Sequence, residues 1–508
     1  MKRLLASASL VALLCVSAGA HAAQTVTMAL DANVIGLDPE DLNDNLSLSA
    51  TRTMYQGLFG FDKDMKIQPV LATGVDANED ATEFTFKLRQ GVKFSDGTPF
   101  DASAVKATFE RLMNPANHLK RASLFAPLKA VEVIDPFTVK MTLKAPFGAW
   151  VNTMAHPAAA ILSPAAIQKY GADLARNPVG TGPFKFKSWP SPDTVNFEKN
   201  PDYWEKGLPK VDALTIRSVP ESGSRVAMLQ TNEAQFVFPL PVELTPAMQK
   251  NPNVSVVAAK SIYAFYVALN TMRKPFDDLR VRQALNYAVD KQAMSKVVYG
   301  GYATPLDSPL PPLLNGYVKV GAYPHDVAKA KQLLAEAGYP NGFDSVLWGG
   351  NSTATQRAMQ FLQQQFATVG VKVQVEPLES GVAAQKIWSV QKPEDATTLM
   401  HYTGWSASTG DADWGLRPLL DSHSFPPTLF NTAYFSDPAF DQQIAAGLAT
   451  ADPHKRADAY KAAQEEAWKQ APWVYLVSPD NIAAQAKGLS GIYVMPDGQI
   501  LTREAELH

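Results

Sequence analysis

Residues 325–376 read HDVAKAKQLLAEAGYPNGFDSVLWGGNSTATQRAMQFLQQQFATVGVKVQVE, and this stretch decides the fold class. A helical period runs from His325 to Ala337 and stops at Gly338; a short apolar strand follows at Val346 to Trp348. A second helix, Gln356 to Thr368, stops at Gly370, and Val371 to Glu376 is again a strand. Glycine just past the last helical residue is the usual stop, because it adopts the left-handed conformation without strain. Strands alternating with helices at this pace predict a wound α/β lobe with a mainly parallel sheet.

Working outward, Asp277-Asp278 opens a helix carrying Val281, Ala284, Leu285, Ala288 and Val289 on one face. A late helix, Pro453 to Lys469, precedes a strand from Trp473 to Val477. The first third has another texture. Thr25 to Leu30 and Ala81 to Leu88 alternate as strands, and Val131 to Leu143 is a hairpin turning at Asp135-Pro136. Asp101 caps a helix that runs through Phe109 and Leu112 to Asn114-Pro115. Two lobes of different texture predict a cleft, where small ligands usually bind.

The chain has 508 residues, 46% apolar and 19% charged, which excludes a disordered or coiled-coil protein. A net charge of −3 supplies no basic field, so nucleic acid and anionic membrane surfaces are poor partners. The N-terminus reads as a signal peptide. Lys2 and Arg3 precede an apolar run from Leu4 to Ala18, and Ala20-His21-Ala22 marks cleavage after Ala22. The single cysteine, Cys15, lies inside that run behind Leu14 rather than a small residue, so a soluble product is expected and not a lipid-anchored one. Cleavage would leave 486 residues without cysteine and, by removing Lys2 and Arg3, shift the charge from −3 to −5.

Enzyme signatures come close and fail. Gly404-Trp405-Ser406-Ala407-Ser408 lacks the closing glycine of a nucleophile elbow. Asp76, Asn78 and Asp80 begin like a calcium loop, but Ala81 and Lys87 stand where glycine and glutamate belong. Gly180-Thr181-Gly182-Pro183 lacks the lysine of a phosphate loop, and the histidines form no HxH or HExxH pair. No catalytic constellation, metal site or cofactor is expected. The segment Tyr402 to Trp414 stands out, with Trp405, Ser406, Ser408, Asp411 and Asp413 close together. It reads either as a surface loop with solvated aspartates and core tryptophans, or as a ligand wall with a flat aromatic face and a carboxylate for a cation.

Several blocks resemble the peptide/nickel solute-binding proteins, family 5 of the ATP-driven importers. They are Tyr55 to Phe59, Leu88 to Gly97, Pro178 to Phe184, Phe276 to Asp290 and Ala335 to Phe343, in family order along the chain. Within the family, Asn114 to Arg121, Tyr402 to Gly410 and Pro426 to Thr432 resemble members that bind glutathione. The resemblance implies a two-lobed α/β fold of the periplasmic binding protein type II kind with an extra domain, three domains in all (cluster C). Residues 1–22 would be the signal; 23–58, 179–265 and 485–508 the first domain; 59–178 the second; 266–484 the third.

The resemblance further implies a periplasmic, monomeric binding component that captures glutathione and delivers it to membrane permease subunits. Related binders of dipeptides, oligopeptides, haem or nickel chelates are the alternative. Cleft positions map to Asn43, Asp44 and Asn45, to the segment of Lys120 and Arg121, to Phe238 and Tyr266, and to a main wall at Trp405. Peptide-binding relatives carry an aspartate three residues after that tryptophan; here Ser408 stands there. Glutathione carries two carboxylates and one ammonium, and each buried charge needs a partner. Arg121 is expected to fork a carboxylate. Asp44, Asp411 or Asp413 would meet the ammonium, and Trp405 and Tyr402 would cover the backbone and thiol.

Overall fold

A computed structural model describes residues 23–508, so the expected signal peptide and Cys15 lie outside the described residues. The strand Thr25–Leu30 sits within a seven-stranded sheet. Across that sheet the strands run Val254–Ala259, Asn481–Ala486, Phe236–Phe238, Thr25–Leu30, Ala213–Ser218, Thr194–Lys199 and Phe184–Ser191. Thr25–Leu30 pairs in parallel on both sides, with Met28 opposite Ile216 and Phe236. Its alternation places Val26, Met28 and Leu30 in one core and Ala29 in another.

The predicted hairpin forms, as strands Leu128–Asp135 and Thr138–Leu143. Together with Ala72–Ala77 and Glu83–Leu88 it makes an antiparallel four-stranded sheet. The helix Ala102–Met113, capped by Asp101 on the Ser103 N–H, covers that sheet. Phe84, Phe86, Phe109, Phe125 and Trp150 fill the layer between them, with Phe109 and Phe125 edge to face at 5.7 Å.

The decisive stretch folds as expected in its elements. Asp326 and Ser352 cap helices Val327–Glu336 and Thr353–Ala367, and the strands are Asp344–Gly350 and Lys372–Leu378. Gly338 and Gly370 hold positive φ, 92° and 84°, as helix stops. The sheet itself corrects the expectation of mainly parallel strands. Its order is Lys372–Leu378, Asp344–Gly350, Met400–Ser406, Tyr263–Leu269, Trp473–Tyr475. Asp344–Gly350 pairs in parallel with both neighbours, whereas Tyr263–Leu269 pairs antiparallel with both of its own.

The reason lies in how the chain passes between the two larger sheets. It leaves the first sheet after Val254–Ala259 to enter the second at Tyr263–Leu269, and returns from Trp473–Tyr475 to Asn481–Ala486. An outgoing and a returning strand that lie side by side must run in opposite directions. The expected breaks at 265/266 and 484/485 therefore fall inside strands Tyr263–Leu269 and Asn481–Ala486, each of which belongs whole to one sheet. A helix that periodicity did not single out, Lys291–Tyr299, packs on the second core, the apolar cluster around Val267, Leu347 and Met400 of the five-stranded sheet.

Candidate binding site at the junction of the sheets

The site begins at the start of helix Asn45–Arg52. Oδ1 of Asp44 accepts the Ser47 N–H at 2.7 Å and caps the helix, while Oδ2 is buried without a protein partner. The next residue ties the sheets together, because Nδ2 of Asn45 donates to the Asp497 carbonyl at 2.8 Å and reaches the Tyr263 hydroxyl at 3.4 Å. Asn43 is exposed. Arg121 approaches the same loop from the segment between helix Ala102–Met113 and strand Leu128–Asp135: its Nε donates to the Leu42 carbonyl at 2.6 Å and its backbone N–H to Glu40 O at 3.1 Å. Burial pulls the Arg121 pKa down, and the Asp44 carboxylate opposes that shift.

Four residues outside the sequence expectation complete the cluster. Nε of Arg52 donates to Gln499 Oε1 at 2.5 Å, and Arg52 Nη2 is buried without a partner. Asp497 Oδ1 accepts the Gln499 N–H at 2.9 Å, while Asp497 Oδ2 and Gln499 Nε2 are buried and unpaired. Burial lowers the Arg52 pKa and raises that of Asp497, and the attraction between the two opposes both shifts. His156 Nδ1 accepts the Ala158 N–H at 3.0 Å, which leaves the proton on Nε2, buried and without an acceptor. Burial holds the His156 pKa well below the usual imidazole range, and Arg121 and Arg52 push it the same way. The ring is neutral and a donor.

Buried polar groups are normally hydrogen-bonded, so a concentration of unpaired ones marks a place built for something else. Two guanidinium groups, two carboxylates and one imidazole N–H stand together with part of their valence unused. Ser406 adds a buried, unpaired hydroxyl opposite Tyr263 in the sheet register. Arg52 and His156 also form part of the wall of a cavity of about 370 Å³, whose remaining wall includes Phe61, Trp204, Tyr493 and Leu501. That volume falls in the range of about 300–1,000 Å³ typical of small-molecule sites. Among the described residues, no group of three or more His, Cys, Asp or Glu is arranged to hold a metal ion.

The segment from Tyr402 to Trp414 is divided between the two faces of a strand and the start of a helix. Pairing of Ala264 with Trp405 and of Val267 with Tyr402 puts Trp405 and Tyr402 on opposite faces of the sheet. Tyr402 therefore does not share a ligand wall with Trp405: its hydroxyl bonds Tyr299 at 3.0 Å inside the second core, under a stacked Phe265. Trp405 donates through Nε1 to the Trp414 carbonyl at 2.7 Å and packs against Phe430. Beside it, Tyr266 is buried and stacks on Trp473 with centroids 3.8 Å apart. Trp405 and Tyr266 both line a gap of about 10 Å³. Ser408 turns its N–H onto the Ser406 carbonyl. Phe238 packs on the core of the seven-stranded sheet.

The aspartates of this segment are not solvated either. Asp411 caps helix Ala412–Leu420 and pairs with Arg456 at 2.8 Å. Asp413 receives both arms of Arg417, each at 2.8 Å. Both residues are 1% exposed, and their charges are already matched. Of the three carboxylates expected near an ammonium, Asp44 alone keeps a buried oxygen free of protein donors.

Residues 66–426 match the bacterial extracellular solute-binding proteins, family 5. The chain belongs to that family. It is 46% identical over 489 residues to the glutathione-binding protein GsiB of Salmonella paratyphi A, covering 96% of this chain and 95% of that one. Its fold superposes on HbpA2 of Haemophilus parasuis with a TM-score of 0.83, at 27% identity over 95% of this chain and 100% of that one. DppA of Helicobacter pylori, solved in complex with the peptide STSA, superposes with a TM-score of 0.78 at 28% identity, covering 95% and 98% of the two chains. The two-lobed α/β architecture is thus that of the family. The chain is a solute-binding component of a transport system and not an enzyme. Among the described residues, no helix is long and apolar enough to cross a membrane.

Proposed function

We propose that this protein captures glutathione in the periplasm, as a monomer, and hands it to the permease subunits of an ATP-driven importer. The observation that carries the reading is the match of charges at the sheet junction. Arg52 and Arg121 supply forks for two carboxylates, Asp44 supplies an oxygen for the ammonium, and the neutral His156 donates one further hydrogen bond. A cluster of this kind pairs every charge of glutathione, and unpaired buried charges cost several kcal/mol. The likeness to GsiB supports the same ligand. Because, among the described residues, two strand connections join the larger sheets, ligand contacts to both favour a closed arrangement by their differential affinity, and that arrangement docks on the permease.

Calorimetry of the mature protein with reduced glutathione and a panel of ordinary dipeptides tests the assignment. A saturable one-to-one isotherm with glutathione is expected, weakened by about 1–3 kcal/mol in Arg121→Ala. Silence with glutathione beside clear heats with a dipeptide would transfer the assignment to that ligand.

A further inference from the structure

We infer that the ligands of this site include glutathione carrying an apolar or aromatic group on its sulfur, with that group housed in the cavity that Arg52 and His156 help to line. The inference rests on the glutathione reading and extends it. The cavity wall combines unlike groups, charged or polar side chains and a larger apolar and aromatic share. Arg52 Nη2 and His156 Nε2 are buried donors without protein acceptors, suited to a carboxylate. In the same wall Phe61 is buried, and Trp204, Tyr493 and Leu501 are half-buried apolar or aromatic surface. None of these four is needed to pair a charge of the tripeptide.

Glutathione itself offers that surface little. Its backbone is polar and its ends are ionised; only the cysteine methylene and thiol are apolar. The thiol is also its one soft nucleophile; when the sulfur displaces a leaving group from a carbon electrophile and gives up its proton to solvent, it becomes a thioether bearing that carbon group. Such a conjugate keeps both carboxylates and the ammonium for the polar cluster and adds the apolar group that the aromatic wall lacks. Burying that group contributes about 25 cal/mol per Å² of apolar area, a term free glutathione cannot supply. At about 370 Å³ the cavity is large for the tripeptide's thiol alone.

The test is calorimetry of the mature protein with reduced glutathione and with S-benzylglutathione, in the wild type and in Val70→Trp. Val70 is a half-buried apolar residue of the cavity wall and makes no contact assigned to the charges of glutathione, so a larger ring there narrows the cavity. S-benzylglutathione is expected to bind the wild type at least as tightly as glutathione. Val70→Trp should weaken the conjugate by about tenfold or more while holding glutathione within about twofold, which also shows that the variant is folded. Glutathione bound and the conjugate weaker by about thirtyfold in the wild type overturns the inference alone. Equal loss of both ligands in Val70→Trp, or loss of neither, also overturns it. Failure of both ligands in the wild type overturns the glutathione reading and the inference with it.

Discussion

The two oxygens of Asp44 have different surroundings, and that difference can be measured. Oδ1 caps a helix, a role asparagine fills equally well; Oδ2 is buried with no protein donor. Asp44→Asn should therefore leave the thermal midpoint nearly unchanged yet weaken glutathione by about 1–3 kcal/mol, since the counter-charge to the ammonium is lost. Asp413→Asn should do the reverse. Its carboxylate is held by Arg417, so breaking that buried pair costs about 3–5 kcal/mol of stability, read by denaturant titration, with affinity preserved in the folded fraction. Sequence pattern gave these aspartates the same standing, because both are acidic residues beside polar or aromatic neighbours. Only the position of an arginine four residues on, folded back along a helix, and of Arg456 beside Asp411 separates them.

At the scale of the element, strand Met400–Ser406 shows how one alternation sorts a motif. Tyr402 points into the second core, Trp405 to the other face, and Gly404 lies directly across from Phe265. A Cβ at 404 would sit 2.8 Å from the Phe265 ring, so the glycine of the near-elbow serves packing and not nucleophile exposure. Gly404→Val should destabilise the protein by about 1–3 kcal/mol through overpacking, seen as a lower urea midpoint at unchanged slope. Gly182 of the phosphate-loop lookalike has a similar explanation. A Cβ there would fall 2.5 Å from the Met54 carbonyl carbon, and its N–H donates to Met54 O at 2.8 Å. The glycines of both motifs were plain in the sequence, but what they approach was not.

For the whole molecule, buried ionisable groups tie stability to pH. Glu40 is fully buried beside Asp38, and the two carboxyl groups share one guanidinium, that of Arg111 on the helix Ala102–Met113. Burial pushes the Glu40 pKa from 4.5 to about 8, against the pull of Arg111. A carboxyl whose folded pKa is raised binds its proton more tightly in the native state. Its contribution is complete below the unfolded value of 4.5 and is lost as pH rises toward 8. Glu40→Gln keeps the neutral shape, so its thermal midpoint relative to wild type should climb from pH 5 to pH 8 and level off above that. A difference that stays flat with pH would mean that the wild-type group is ionised throughout. Buried His401, with its pKa drawn down to about 4, works in the opposite sense, losing stability as pH falls below about 6.5. The single substitution at Glu40 isolates one slope from the other.

What the sequence determined by itself was local and periodic. Helix stops at Gly338 and Gly370, the cap at Asp101, the hairpin turn at Asp135-Pro136 and the alternation of Thr25–Leu30 all follow from backbone preferences within a few residues. The family blocks led to the same two-lobed fold. The binding cluster required the tertiary structure, because its members come from residues 44–52, 121, 156, 263, 406 and 497–499. No local period relates Arg52 to Asp497, and His156 looks like any other histidine until its surroundings are known. Whether a charge is a solvated surface group, half of a closed ion pair or a donor awaiting a ligand depends on what is buried against it. Burial is set by sheet register and by contacts hundreds of residues apart, which chain proximity does not encode.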